Sequence, residues 1–159
     1  MFRPTALALA ITLSACGEPA QPADLSVSDL HVVEPIGGRD IARGGLMIKG
    51  GSEAMRLTGI ASPNAERVEL HTHAMTDAGV MQMRKVDGID IPAGETVMFE
   101  AGGKHLMFFG FDKALAPGDE TEVTLTFIDS EGAPWDLKFN APVIALGADI
   151  GEDTPAHGS

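Results

Sequence analysis

Residues 121–127 read Thr-Glu-Val-Thr-Leu-Thr-Phe, a stretch in which polar and apolar side chains alternate. Successive side chains of a β-strand point to opposite faces of the sheet. Val123, Leu125 and Phe127 would therefore share one face, and the glutamate and threonines between them would take the other. The alternation predicts a strand with one buried and one solvated face.

The chain on either side of this stretch, from Leu25 onward, consists of short apolar segments separated by Gly and Pro turns. Turn sequences such as Gly50-Gly51, Gly102-Gly103 and Pro117-Gly118-Asp119 recur at the spacing of an all-β protein, and no segment has the pattern of a long amphipathic helix. These features predict a single all-β domain, a sandwich or barrel. The predicted strands are Ser26–Val33, Gly45–Lys49, Met55–Ser62, Arg67–Met75, Gly79–Val86, Thr96–Ala101, His105–Gly110, Glu120–Ile128 and Trp135–Val143.

Composition excludes several classes of partner and site. The 159 residues include 11 Lys and Arg against 23 Asp and Glu, a formal charge of −12. Nucleic-acid affinity depends on Lys and Arg neutralising phosphates, so this balance predicts no nucleic-acid partner. The single Cys, at position 16, excludes a disulfide within the chain, a Cys-rich zinc site and an iron–sulfur cluster, all of which need several sulfurs.

The N-terminus has the features of a secretory signal. Met1–Ala15 carries one charged side chain, Arg3, then an apolar run and small residues. The run is much shorter than the roughly 20 residues that a helix needs to cross a bilayer. Leu13-Ser14-Ala15-Cys16 resembles the lipobox of bacterial lipoproteins, which implies that Cys16 is lipidated and anchors a periplasmic protein to a membrane. Whether that membrane is the inner or the outer one stays open.

The remaining boundaries follow from composition. Residues 16–24 are rich in Pro, Ala and Gly and predict a flexible tether. Residues 25–146 form the predicted folded domain. Residues 147–159 are acidic, have little to bury and predict a disordered tail.

His and Met residues recur at i, i+2 spacing, in the pairs His71/His73, Met81/Met83 and His105/Met107. In a strand each pair would lie on one face. Val68 and Leu70 alternate with the first pair, so its imidazoles would point away from the buried face. Residues 76–79 predict a hairpin loop that brings His71 or His73 opposite Met81 or Met83.

Imidazole and thioether donors without a thiolate suit Cu(I), whereas a blue-copper electron-transfer centre requires a Cys ligand. The cluster therefore favours a Cu(I) site and excludes that type of electron carrier. For Met81, a place in the core or behind the ligands is the alternative, since core filling is the ordinary role of Met.

Residues 68–127 resemble the PCu(A)C-type periplasmic copper chaperones, whose motif is a His or Met, ten residues, a Met, twenty-one residues and His-x-Met. Here twenty-one residues separate Met83 from His105-Leu106-Met107. Surrounding segments are also similar to the family, at residues 68–71, 91–94, 102–105 and 124–127. The resemblance implies a cupredoxin-like β-sandwich or barrel.

The first half of the motif departs from the family spacing. Eleven residues separate His71 from Met83, and nine separate His73 from it. The two imidazoles share a face, so the choice between them stays open, although the Glu-Leu-His context favours His71. The resemblance thus implies Cu(I) ligands His71, Met83, His105 and Met107, with His73 and Met81 as possible secondary ligands.

The resemblance further implies a copper chaperone that delivers Cu(I) by ligand exchange towards cytochrome c oxidase assembly, with oxidase subunit II or an assembly factor as acceptor. Two alternatives stand beside it: a copper-buffering or resistance lipoprotein without a dedicated acceptor, and a structural β-sandwich interaction lipoprotein. No nucleophile or paired carboxylates occur at a usable spacing, so an enzyme is not predicted.

Three further positions carry predictions. His31 alternates with apolar neighbours and is predicted to be an exposed strand residue, while Phe127 and Trp135 are predicted core residues.

Overall fold

The computed structural model describes residues 24–35, 37, 39–111 and 114–148. The predicted signal segment, Cys16, the tether as far as residue 23 and the tail from residue 149 lie outside the described residues. The described part contains ten strands and no helix that could span a membrane. The strands are β1 Ser26–Val33, β2 Ile41–Lys49, β3 Met55–Ala61, β4 Ala65–Met75, β5 Met81–Val86, β6 Ile89–Ile91, β7 Thr96–Phe99, β8 His105–Phe111, β9 Glu120–Ile128 and β10 Pro134–Ile144.

The strands follow one hydrogen-bonded path, β5-β4-β8-β2-β1-β10-β9-β3-β6, and β7 also pairs with β2. The path divides into a first layer, β5-β4-β8-β2-β1 with β7, and a second layer, β10-β9-β3-β6. A short parallel contact between β1 and β10 joins them at Val32 and Val33. The predicted all-β domain is therefore confirmed as a β-sandwich.

The core lies between the layers. The second layer contributes Val123, Leu125 and Phe127, all fully buried, so the face predicted from the alternation in β9 is confirmed. The first layer contributes side chains from β2, β4 and β8 that pack in the same cluster, among them Leu46, Ile48, Leu70, Leu106 and Phe108. Trp135 packs only at the margin of this core, partly buried.

His31 is buried, with 8% of its surface exposed, so the prediction of an exposed residue was wrong. A bulge between Ser28 and His31 shifts the pairing of β1 with β2, and the His31 Nδ1–H donates to the Asp29 carbonyl at 2.7 Å. The ring lies over Gly45, where a Cβ atom would approach the His31 ring to 2.6 Å. Burial of this imidazole thus depends on a glycine in the neighbouring strand.

Candidate metal centre

The predicted ligands lie on the outer face of the first layer, where β5, β4 and β8 are neighbours. Pairing places His73 opposite Met83 across the β4–β5 hairpin. It also places His71 opposite His105, two residues before Met107, across β4 and β8. The pairing thereby brings candidate ligands from three strands, β4, β5 and β8, side by side.

Alternation along β4 and β8 separates ligands from core. Leu70 and Leu106 are buried between the layers, so the His71, His73 and His105 side chains point the other way. This orientation matches the prediction from the i, i+2 spacing. His105 is nevertheless only 3% exposed, because the His71 and His73 rings cover it, with centroids 5.8 and 5.3 Å from its own.

His105 is held in the form that binds a metal. Its Nδ1–H donates to the Gly103 carbonyl at 3.1 Å, which leaves Nε2 as the free lone pair of the neutral ring. Burial lowers the pKa of His105, the hydrogen bond to Gly103 opposes this effect, and the neighbouring His71, His73 and Arg43 lower the pKa further. The lowered pKa favours the neutral ring, in which no proton has to be displaced for Nε2 to coordinate a metal.

Two more imidazole nitrogens are buried without partners. The Nδ1 atoms of His71 and His73 have no hydrogen bond to any residue that the structure describes. A buried polar atom without a partner costs about 1–3 kcal/mol, and such atoms are rare in folded proteins. Both nitrogens lie in rings that pack against His105 and are therefore candidates for coordinating a metal.

Glu69 orients His71. The His71 Nε2–H donates to the Glu69 carboxylate at 2.9 Å, which leaves Nδ1 as the ring's acceptor. Arg67 and Lys85 donate to the other carboxylate oxygen at 3.3 and 3.2 Å. The hydrogen bond from His71, and then those from Lys85 and Arg67, lower the pKa of Glu69 to about 2 against the effect of its desolvation. An ionised carboxylate behind a metal-binding imidazole fixes its tautomer and raises its basicity.

A cavity of about 260 Å³ opens beside these rings. Four of its lining residues are His73, Met83, His105 and Met107, while His71, whose ring centroid is 5.8 Å from that of His105, is not part of the lining. The other lining residues are Val33, Glu34, Arg39, Ile41, Ala42, Arg43, Ala101, Gly102 and Leu146. Three of the four predicted ligands, Met83, His105 and Met107, therefore border one cavity together with the secondary ligand His73. The fourth, His71, packs against the His105 ring.

The donor set has a soft character. In the described ranges, no three His, Cys, Asp or Glu side chains form a group that could hold a metal ion by themselves. Any ion bound here would depend on the thioethers of Met83 and Met107 together with imidazole. Sulfur and imidazole donors fit Cu(I) and fit harder divalent ions poorly. The carboxylate in the lining, Glu34, accepts a hydrogen bond from the Leu146 amide at 3.0 Å.

The methionines of the hairpin are not core residues. Met81 is 54% exposed and Met83 48% exposed, although both belong to a strand. Core filling, the alternative for Met81, is therefore wrong.

Arg43, opposite Met107 on β2, was not predicted near the site, since only the pairing of β2 with β8 brings it there.

A family model described as "Putative lipoprotein LpqE-like" matches residues 25–142, which is most of the chain. The protein is an LpqE-like lipoprotein family member. A curated relative, "Putative lipoprotein Lxx21020" of Leifsonia xyli subsp. xyli (strain CTCB07), is 34% identical over 118 residues, 73% of this chain and 70% of the relative.

The LpqE-like chain also shares its fold with solved PCuAC domains. It matches the copper-bound PCuAC domain from PmoF2 with a TM-score of 0.61 and 21% identity, over 77% of this chain and 94% of that one. It matches the Cu(I) form of DR1885 from Deinococcus radiodurans with a TM-score of 0.53 and 23% identity, over 76% of each chain. The resemblance to PCu(A)C-type domains is confirmed, and with it the predicted fold.

Proposed function

We propose that this lipoprotein binds one Cu(I) ion through Met83, His105, Met107 and an imidazole of the His71/His73 pair, and passes it to an acceptor protein. The observation that carries the proposal is the set of imidazoles, two of them with a buried Nδ1 that has no partner among the described residues, gathered near the thioethers of Met83 and Met107. The copper-bound PmoF2 domain and the Cu(I) form of DR1885, which share this fold, support a copper ion, and the second supports Cu(I).

The structure gives one argument for His71 and another for His73 as the fourth ligand. The family context and the Glu69 carboxylate favour His71, whose Nδ1 is left free by the hydrogen bond at Nε2. The lining of the cavity favours His73, which lies directly opposite Met83. Comparing the Cu(I) affinity of His71→Asn with that of His73→Asn identifies the ligand, because the larger loss belongs to the coordinating ring.

Transfer would occur by ligand exchange. Met83 is about half exposed, and the cavity beside it is open to a second set of ligands. A thiolate or imidazole of the acceptor replaces one thioether at a time, and the ion remains Cu(I) throughout. The acceptor is proposed to belong to cytochrome c oxidase assembly, and the chain to act in the periplasm, anchored through a lipid on Cys16.

An anaerobic titration with Cu(I) in competition with a chromophoric chelator tests the site. The double variant Met83→Leu/Met107→Leu is expected to lose affinity by about 100-fold or more, if each ligand contributes at least about 1.4 kcal/mol. Met98→Leu is the matched control, since Met98 is 51% exposed on β7 and does not line the cavity. An unchanged affinity in the double variant, or no uptake by the wild-type chain, contradicts the proposal.

Delivery is tested separately in cells. Deleting the gene at limiting copper is expected to lower the copper content of cytochrome c oxidase, with restoration by the wild-type gene and not by the double variant. A normal oxidase together with increased sensitivity to excess copper would instead identify the protein as a copper buffer.

A further inference from the structure

The tip of the β4–β5 hairpin carries a second pair of thioethers. Met75 and Met81 are direct cross-strand partners, next to the pair His73 and Met83. Side chains two residues apart share a face, so both pairs lie on the outer face of the first layer. Directly paired strand residues have Cβ atoms about 4.5–5.5 Å apart, within which two flexible Met side chains can direct both sulfurs at one ion.

Packing does not account for this pair. Met75 is 68% exposed and Met81 54%, whereas a core Met such as Met55 is 6% exposed. The strand that carries Met81 is at the end of the sheet path, and five of its six residues are exposed. An exposed Met gains little from the hydrophobic effect, so the stability of the fold gives no reason for thioethers at this tip.

Soft donors instead form a continuous series along the hairpin. From the tip inwards the rows are Met75 with Met81, His73 with Met83 and His71 with Lys85, and His105 is the partner of His71 on the neighbouring strand. No carboxylate stands in the two outer rows. An ion that leaves the cavity towards the tip therefore passes from one pair of soft ligands to the next.

We infer that Met75 and Met81 form a transfer site for Cu(I), one pair outward from the proposed ligands of the cavity. This inference rests on the proposed function. The two thioether sulfurs each donate a lone pair as the bonds from Met83 and its neighbours break, and neither a proton nor an electron is transferred. Two thioethers alone bind weakly, so the pair affects the rate of exchange and leaves the equilibrium affinity to the inner ligands.

The test compares Met75→Leu/Met81→Leu with Met47→Leu/Met98→Leu in the mature chain. Leu preserves the apolar volume and removes the sulfur. Met47 and Met98 are also direct cross-strand partners, on β2 and β7, and neither lines the cavity. The control therefore removes an equal number of thioethers in the same arrangement, away from the hairpin.

Stopped-flow transfer of Cu(I) from the loaded protein to excess bicinchoninate gives the first readout. The hairpin variant is expected to transfer about tenfold more slowly, with an equilibrium affinity within about twofold of wild type, because the barrier changes and the inner ligands do not. The control variant is expected to retain the wild-type rate. An unchanged rate in the hairpin variant, or an equal slowing in the control, overturns the inference.

A titration with Ag(I), followed through the Met ε-methyl NMR signals, gives the second readout. In the variant His105→Ala/Met107→Leu, which lacks two inner ligands, the Met75 and Met81 methyl signals are expected to shift together and more than that of Met98. Equal or absent shifts at the hairpin overturn the transfer site. If wild type binds no Cu(I), the proposed function itself fails, whereas normal Cu(I) binding without methyl shifts rejects only the transfer site.

Discussion

The hairpins β4–β5 and β9–β10 turn with the same backbone arrangement. In residues 76–80 the Thr76 N–H donates to the Val80 carbonyl and the Gly79 N–H to the Thr76 carbonyl, at 2.9 and 2.8 Å. In residues 129–133 the equivalent bonds run from Asp129 to Ala133 and from Gly132 to Asp129, both at 3.1 Å. The glycines have φ values of 75° and 85°, a region that favours glycine in both turns.

The strands that these turns join have different surroundings. β9 is paired on both sides, and its alternate side chains are fully buried between the layers. β5 has β4 as its only neighbour in the described part, and its side chains are almost all exposed. A common turn thus produces a core element in one place and a surface that presents His and Met in another. Burial separates the two roles, and local backbone geometry does not.

The largest expected difference between the hairpins is in stability. Phe127→Ala removes a fully buried ring and is expected to lower the free energy of unfolding by about 3–5 kcal/mol. Met81→Ala, at a mostly exposed position, should change it by less than about 0.5 kcal/mol. Urea denaturation followed by circular dichroism measures both. A comparable loss for Met81→Ala would show that the β4–β5 hairpin contributes to the core.

The next difference is the response to acid. The pKa of Glu69 is lowered to about 2 from an ordinary 4.5, so its carboxylate stabilises the fold above pH 4.5 and that stabilisation is lost as the pH falls towards 2. Glu69→Gln is expected to remove roughly 1–3 kcal/mol at pH 6 and to flatten the fall in stability below pH 4.5. Denaturation midpoints between pH 6 and pH 2.5 measure this slope.

The matched control for acid stability is Glu122→Gln on the other hairpin. Glu122 accepts from Lys138 across the strands at 3.3 Å, much as Glu69 accepts from Lys85 at 3.2 Å, but it has no imidazole partner among the described residues. An exposed pair of this kind contributes about 0–1 kcal/mol. Equal flattening in the two variants would show that the lysine, and not His71, determines the acid response.

The smallest expected difference concerns the first residue of each turn. The Asp129 carboxylate accepts from the Glu131 and Ala133 amides and from the Trp135 indole, at 2.9, 2.9 and 3.0 Å. The Thr76 hydroxyl accepts only from the Val80 amide, at 3.1 Å, among the residues described. Asp129→Ala should therefore lower the thermal midpoint more than Thr76→Ala. The reverse order would mean that the indole contact adds nothing to the turn.

The strands were predictable where alternation is long and were missed where it is short. β1 and β9 begin and end at the predicted residues. β6 was not predicted, because its three residues are too few for a pattern and their pairing with β3 creates the strand. β2 starts four residues earlier than predicted, since the glycines in it carry no hydropathy signal and occupy places where His31 and Phe108 leave no room for a Cβ atom.

For the candidate site, the sequence predicted which strand face carries the ligands but not which residues line the cavity. Spacing at i, i+2 placed His71 and His73 on one face, and the pairing of β4 with β5 and β8 agrees with it. Which imidazole borders the cavity depends on the register of the hairpin, and the spacing of two residues leaves that open. The arginines of the cavity lining come from a segment about thirty residues earlier, without any motif to connect them to the ligands.

Exposure of the hairpin thioethers has a consequence in oxidative chemistry. Sulfoxide formation follows accessibility, so peroxide should modify Met75, Met81 and Met98 first and spare buried Met55. At the hairpin, each sulfoxide replaces a soft sulfur donor with a harder, polar group. The fold would survive this damage because those side chains support little of it, while transfer through the proposed Met75/Met81 site would slow. Methionine sulfoxide reductases, which reverse the modification, would then restore function without refolding the protein.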